Sequence, residues 1–213
     1  VLYEGVDEGR KTFSNIVKYL KMGSSSNFGN MFSVIGASIV LPFLPMRPIQ
    51  LLLNNFLYDL SQLGIPEDNV EKEDLEKPAK WDIEKIKKFM IFIGPISSVF
   101  DYITFGILYI GLKASEAVFQ TGWFVVSIIT HIMIIYIIRT NKNPFFSLPG
   151  KWLIVSTFLI IAIALIITLG PYKEMFEFAD LPREFLITVP IIVLSYLIVT
   201  YLIKRHLVKK GIL

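Results

Sequence analysis

Long apolar blocks constrain this chain more than any other feature. They run at about 24–42, 48–63, 89–112, 119–138, 152–170 and 185–203. A bilayer's hydrocarbon core of about 30 Å takes roughly 20 apolar helical residues. In lipid, only helices and closed barrels satisfy every backbone group, and no strand-like alternation runs through these blocks. The expected fold is therefore all-α: a polytopic membrane protein built as a six-transmembrane-helix bundle. The later blocks, such as "WLIVSTFLIIAIALIITLG", read as plain lipid-facing spans, whereas the first two are the most polar. Hydrophobic residues make up 54% of the 213, above the roughly 45–50% of soluble domains, and the excess lies in these blocks.

Charge placement predicts the orientation. Threading six spans sends every Lys and Arg to one side except Arg47, Lys113, Lys173 and Arg183. The positive-inside rule puts that side, and with it both termini, in the cytoplasm. Residues 1–23 then form a cytoplasmic stalk and 64–88 a cytoplasmic loop. Within that loop, "PEDNVEKEDLEKPAKWDIEKIKK" (Pro66 to Lys88) reads first as a solvated linker, and alternatively as a docking surface for a cytoplasmic domain. "YKEMFEFADLPRE" (Tyr172 to Glu184) reads as an external loop with no visible chemistry. The expected location is the cell's inner (plasma) membrane, crossed several times.

Several classes drop out on composition. Without Cys there is no disulfide and no thiolate metal site. Two His residues and no His/carboxylate cluster argue against a zinc or iron centre. A net charge of +3 says little about partners, and no nucleic-acid partner is expected. The opening "VLYEGVDEGRK" has neither an initiator Met nor the apolar core of a signal peptide. A segment of a longer chain is the expectation.

Polar residues inside the spans are the functional signal. Of 18 acidic residues only Asp59 and Asp101 lie well inside apolar blocks, where a charge is costly and marks a partner, a cavity or an ion. In the first span "SSSNFGN" supplies Ser24, Ser25, Ser26, Asn27 and Asn30; the two Asn are one helical turn apart and share a face. In the second, Asn55 and Asp59 share a face that Gln62 extends. Together they make a candidate oxygen-rich site between two adjacent helices. Gly23, Gly29 and Gly36 permit a bend or close helix packing, and Pro42, Pro45 and Pro48 interrupt the connection; irregular helices at membrane depth often line ion sites. The alternative for each polar residue alone is an interhelical hydrogen bond worth about 1 kcal/mol. Asp101, with Ser97 and Ser98 one turn before it, is read as bonded to those hydroxyls or across to another helix, or else as a pathway residue. The lone intramembrane His131 is read as a neutral imidazole bonded to a neighbouring span. Trp123 and Trp152 read as interfacial anchors.

"EGRKTFSNIVKYLKMGSSSNFGN" resembles the stalk and fifth membrane helix of P-type ATPases, the cation pumps that form an aspartyl-phosphate. "LPFLPMRPIQLLLNNFLYDLSQLGIPEDNV" is similar to their sixth helix and the loop after it. The resemblance continues through "KFMIFIGPISSVFDYITFG" and "FQTGWFVVSIITHIMIIYIIRT" and covers essentially the whole chain, 1–213, as the C-terminal transmembrane domain, helices five to ten. These strings look like the bacterial magnesium-transporting branch. The resemblance implies that Asn27, Asn30, Asn55 and Asp59 bind the cation, with Tyr58, Gln62, Asp101 and His131 as candidates for its pathway. Relative to calcium pumps, Asn30 stands in place of a Glu and Tyr58 in place of a Thr, so the site is poorer in charge. Mg²⁺ sheds water reluctantly and keeps several waters, which suits amides beside one carboxylate.

The resemblance further implies Mg²⁺ as the transported ion, uptake into the cytoplasm, and ATP bound by parent domains. The partners implied are the lipid bilayer, the missing helices, and the cytoplasmic phosphorylation, nucleotide-binding and actuator domains. The family's phosphorylated "DKTG" motif is absent here, so this segment alone is not expected to hydrolyse ATP. Alternatives are a proton or other divalent-cation pump segment, a standalone six-helix channel or secondary transporter, and a structural remnant.

Overall fold

The computed structural model describes residues 2–76, 82–144 and 146–213; Lys77 and Lys80, which entered the orientation argument, lie outside the described residues. Among the described residues every regular element is helical. The principal helices are α1 (Leu2–Val40), α2 (Pro48–Ser61), α4 (Ile83–Phe105), α5 (Glu116–Met133), α7 (Lys151–Leu169) and α8 (Arg183–Lys209). Two shorter pieces, α3 (Lys72–Glu76) and α6 (Ile135–Ile138), complete the series, α6 continuing the line of α5.

Among the described residues, four helices are long and apolar enough to cross a membrane: Ile83–Gly111, Glu116–Ile138, Lys151–Leu169 and Arg183–Lys209. The first is α4 prolonged by a π turn at Gly106–Gly111. α1 and α2 fall short for different reasons. α1 is 39 residues long, about 58 Å at helical rise, but its first half is charged and its second half carries the Ser, Asn and Gly residues. α2 has only 14 residues. A 3₁₀ stretch, Gln62–Glu67, prolongs it, and the pair rises about 33 Å.

α2 begins where the sequence permits. Pro48 occupies its first turn, the position where a missing N–H costs nothing. α1, in contrast, is not interrupted at its glycines; it runs unbroken from Leu2 to Val40. Gly29 and Gly36 serve close packing, whereas a Cβ at Gly23 would meet nothing. A Cβ on Gly29 would lie 2.0 Å from Ser97 Oγ and 2.7 Å from the Gly94 carbonyl oxygen, and one on Gly94 would lie 2.9 Å from the Ser25 carbonyl oxygen. α1 and α4 therefore meet nearly backbone to backbone, the arrangement that small residues allow between membrane helices.

α5 is the centre of the bundle. It packs on α2, α4, α7 and α8, and 83% of its span is buried against 28% for α7 and for α8. Phe119, Trp123, Phe124, Ile128 and Ile132 are almost wholly enclosed. α7 and α8 turn a narrow stripe inward and leave Phe158, Leu159, Ile187 and Ile191 exposed, the outward face a membrane helix shows to lipid.

At the end where the stalk half of α1 projects, the chain ties itself together through Asp68. This side chain is fully buried, and the reading of Pro66 to Lys88 as a solvated linker fails at that point. Lys18 Nζ lies 2.6 Å from Oδ2, Arg139 Nε 2.9 Å from the same oxygen, and Gly150 N donates to Oδ1 at 2.8 Å. Asn15 donates to the Pro66 and Asp68 carbonyls. Arg139 also donates to the carbonyls of Ser147, Leu148 and Asn69, and Lys204 of α8 reaches the carbonyls of Ile137, Ile138 and Thr140. α1, the α2–α4 connection, α6, α7 and α8 thus share one polar joint. The loop after α7 is tied to α2. Gln50 of α2 donates to its Phe176 and Glu177 carbonyls, and Arg47 pairs with Glu177.

Candidate cation site

The i, i+3 and i, i+4 spacings hold on the folded helices, but the faces they define do not close on one another. α1 packs mainly on α4, while α2 packs on α5 and α7. The polar residues of the two helices are joined by one side-chain hydrogen bond among the described residues, Tyr58 OH to Ser26 Oγ at 3.1 Å. Within the described residues the expected compact site between adjacent helices is not closed, and its polar faces stay open.

Asn27 on α1 is exposed, and so are Asn55 and Asp59 on α2. Asn30 is half-buried, and its Oδ1 is enclosed without a hydrogen-bond donor. An enclosed acceptor with no donor is costly, and it suits a water or a cation. Gln62 is buried as well; its Nε2 lies 3.5 Å from Asp59 Oδ1, and its own Oε1 is also without a donor. Asp59 and Gln62 open onto a cleft of about 420 Å³ between the stalk of α1 and the end of α2, with Asn15, Tyr19 and Leu63 on its walls. Among the described residues no three His, Cys, Asp or Glu side chains come together around a metal. What the face offers a cation is one carboxylate with amide oxygens.

The other polar residues of these two spans are accounted for differently. Ser24 and Ser25 donate to the Leu20 and Lys21 carbonyls of their own helix. Tyr58 is buried, with its ring edge-on to His131 at 5.9 Å. Asn54, next to the exposed Asn55, is buried with its Nδ2 unpartnered. His131 shares a hydrogen bond of 3.1 Å with Ser127, one turn earlier on α5, rather than with a neighbouring span.

Asp101 is buried, and its partners come from other helices. Ser33 of α1 lies 2.5 Å from Oδ2 and the Trp123 indole of α5 donates to Oδ1 at 2.9 Å. Ser97 and Ser98, the hydroxyls one turn before it, donate instead to the carbonyls of Gly94 and Gly29. Trp123 is accordingly not an interfacial anchor; it is 1% exposed in the middle of the bundle. Trp152 is 65% exposed and keeps that reading.

Sequence reasoning misread Trp123 and passed over the roles of Ser33, Asn15, Lys18, Asp68 and Arg139. An Arg closing the apolar run "IMIIYIIR" was the one visible sign of the joint. Around that joint, outside the spans, hydrogen bonds from Ser147, and then Thr140 and Lys142, hold the Glu71 carboxyl below its ordinary range against the opposing effect of partial burial. Glu73 and Glu71 in turn raise Lys142.

Comparison with known proteins supplies the family. Residues 43–206 match the model described as cation transporting ATPase, C-terminus. The chain is 43% identical over 202 residues to the Magnesium-transporting ATPase, P-type 1, of Salmonella typhimurium, and 42% identical over 202 residues to that of Escherichia coli K12. A further Salmonella typhimurium protein of the same name is 44% identical over 204 residues. In each case the match covers 92% of this chain and 22% of the relative. The chain thus spans about a fifth of the length of the curated relatives it matches.

Proposed function

The chain belongs to the cation-transporting ATPase family, as a C-terminal membrane segment, and from that premise we propose that it forms much of the Mg²⁺ site and pathway of an ATP-driven magnesium uptake pump. In this reading α1 and α2 are the fifth and sixth membrane helices, and the four apolar helices are the seventh to tenth. Both termini and the Asp68 joint are cytoplasmic, as the positive-inside rule requires. Asn27, Asn30, Asn55 and Asp59 receive the ion, and Gln62 with the cleft beside it leads toward the cytoplasm.

The observation that carries this reading is the open polar face. Asn27, Asn55 and Asp59 are exposed on two helices whose other neighbours are apolar, and a carboxylate left against lipid is expensive. Such a face needs a cover. The remaining helices of the parent pump would supply it and enclose the site. Asp59 then contributes the fixed charge, and the amide oxygens of Asn27, Asn30 and Asn55 hold the waters that Mg²⁺ retains. ATP binding and phosphoryl transfer belong to parent domains. The stalk half of α1 is the lever that would connect them to Asn27 and Asn30.

The test is Asp59→Asn in the full-length protein, expressed in a bacterium lacking its other magnesium importers. Growth at low Mg²⁺ and radiometric uptake should fall to background while the protein accumulates in the membrane at its normal level. Near-normal uptake removes Asp59 from the ion path. ATP-driven acidification with no divalent-cation uptake would favour the proton-pump alternative.

A further inference from the structure

We propose that Asp101 is a positioning residue for the cation site: it fixes the rotation of α1 about its own axis and so sets where Asn27 and Asn30 point. The inference rests on the reading of those two residues as cation ligands. α4 grips α1 at three successive places. Ser98 donates to the Gly29 carbonyl at 2.8 Å, Tyr102 to the Phe32 carbonyl at 2.6 Å, and the Asp101 carboxylate takes the Ser33 hydroxyl at 2.5 Å. Residues 29, 32 and 33 lie on one face of a helix, at the spacing i, i+3, i+4. Asn27 falls on the opposite face and is exposed, and Asn30 falls on the flank with its oxygen enclosed and unpartnered. A helix held at that one face cannot turn without moving both amides.

Asp101 differs from the other two grips because it is itself held. Trp123 of α5, nearly inaccessible in the most enclosed helix of the bundle, donates to its second oxygen. The carboxylate therefore ties α1, the longest helix, to the packed centre. Close packing leaves no slack, since Gly29 has no room for even a Cβ against Ser97 and Gly94. Both carboxylate oxygens accept hydrogen bonds from neighbouring helices, a tie that assigns Asp101 to holding the site. An amide can reproduce this tie: an Asn oxygen accepts from Trp123 while its N–H donates to Ser33. A Leu can reproduce neither bond.

The experiment compares Asp101→Leu and Asp101→Asn in the full-length protein, with KM and kcat for Mg²⁺ uptake measured separately beside membrane yield and thermal unfolding. Asp101→Leu should raise KM about tenfold, the size seen when a group that orients metal ligands is lost. Asp101→Asn should recover most of that loss. A fall in yield or kcat with KM unchanged would overturn the proposal in favour of a purely structural role. Asp101→Asn as damaging as Asp101→Leu would overturn it too, because the charge would then be what matters. Should Asp101→Leu not fold, Ser33→Ala and Trp123→Phe each remove one arm of the tie and face the same KM criterion. Asp59→Asn, run in parallel, keeps the questions apart: normal uptake by that variant ends the cation-site reading whatever Asp101 does.

Discussion

At the stalk end, Asp68 is fully buried and meets Lys18, Arg139 and the Gly150 N–H. On the open face, Asp59 is exposed and its polar neighbour is Gln62 at 3.5 Å. Asp59 lies on α2 and Asp68 caps its 3₁₀ continuation, nine residues on. Asp68 has been taken out of water and compensated by charge-assisted hydrogen bonds from three segments, which is how a buried ion becomes tolerable. Among the described residues Asp59 receives no such compensation. A carboxylate that the fold satisfies holds the structure together. One that it leaves available, beside enclosed amide oxygens without donors, is available for a ligand.

The contrast can be broken experimentally, beginning with the largest effect. Asp59→Asn should abolish uptake and leave unfolding of the purified protein unchanged. Asp68→Ala should do the reverse in kind. It strands Lys18 and Arg139 without their counter-charge, and breaking one side of a buried pair costs about 3–5 kcal/mol. Its signature is a lower unfolding temperature and poor accumulation, and any uptake deficit should track the amount of folded protein. If Asp68→Ala instead left stability intact, the joint would not be the structural element its geometry implies.

The adjacent pair Asn54 and Asn55 sharpens the same division within one helical turn. Asn55→Leu should impair Mg²⁺ uptake with little change in stability, because its side chain is exposed. Asn54→Leu should spare uptake and change stability by less than about 1 kcal/mol, since it removes a buried Nδ2 that has no acceptor. The reverse outcome would mean that α2 presents its other face to the ion.

Smallest is the effect of Glu71. Its folded-state pKa is lowered, first by the hydrogen bond from Ser147. The stabilisation is therefore present above the ordinary carboxyl value of 4.5 and is lost as pH falls through the folded-state value. Wild type should exceed Glu71→Gln by less than about 1 kcal/mol at neutral pH, a partly exposed network being screened by solvent. The gap should close in acid, as read by unfolding titrations across pH.

The sequence by itself determined the helical class and the four most apolar helices, because segment length and apolarity are local properties that a bilayer converts directly into helices. It also determined that Asn27 with Asn30, and Asn55 with Asp59, share faces, since that follows from 3.6 residues per turn. Which way those faces turn was decided only by tertiary packing. Gly29 and Gly94 bring α1 against α4, and that contact sends Asn27 outward, draws Asn30 to the flank and places Ser33 against Asp101. The same holds for Trp123, whose indole reads as a membrane-surface anchor until α4 supplies a buried acceptor. Asp68 and Arg139 are 71 residues apart. No periodicity relates them, and each becomes tolerable in the interior only when the fold delivers the other.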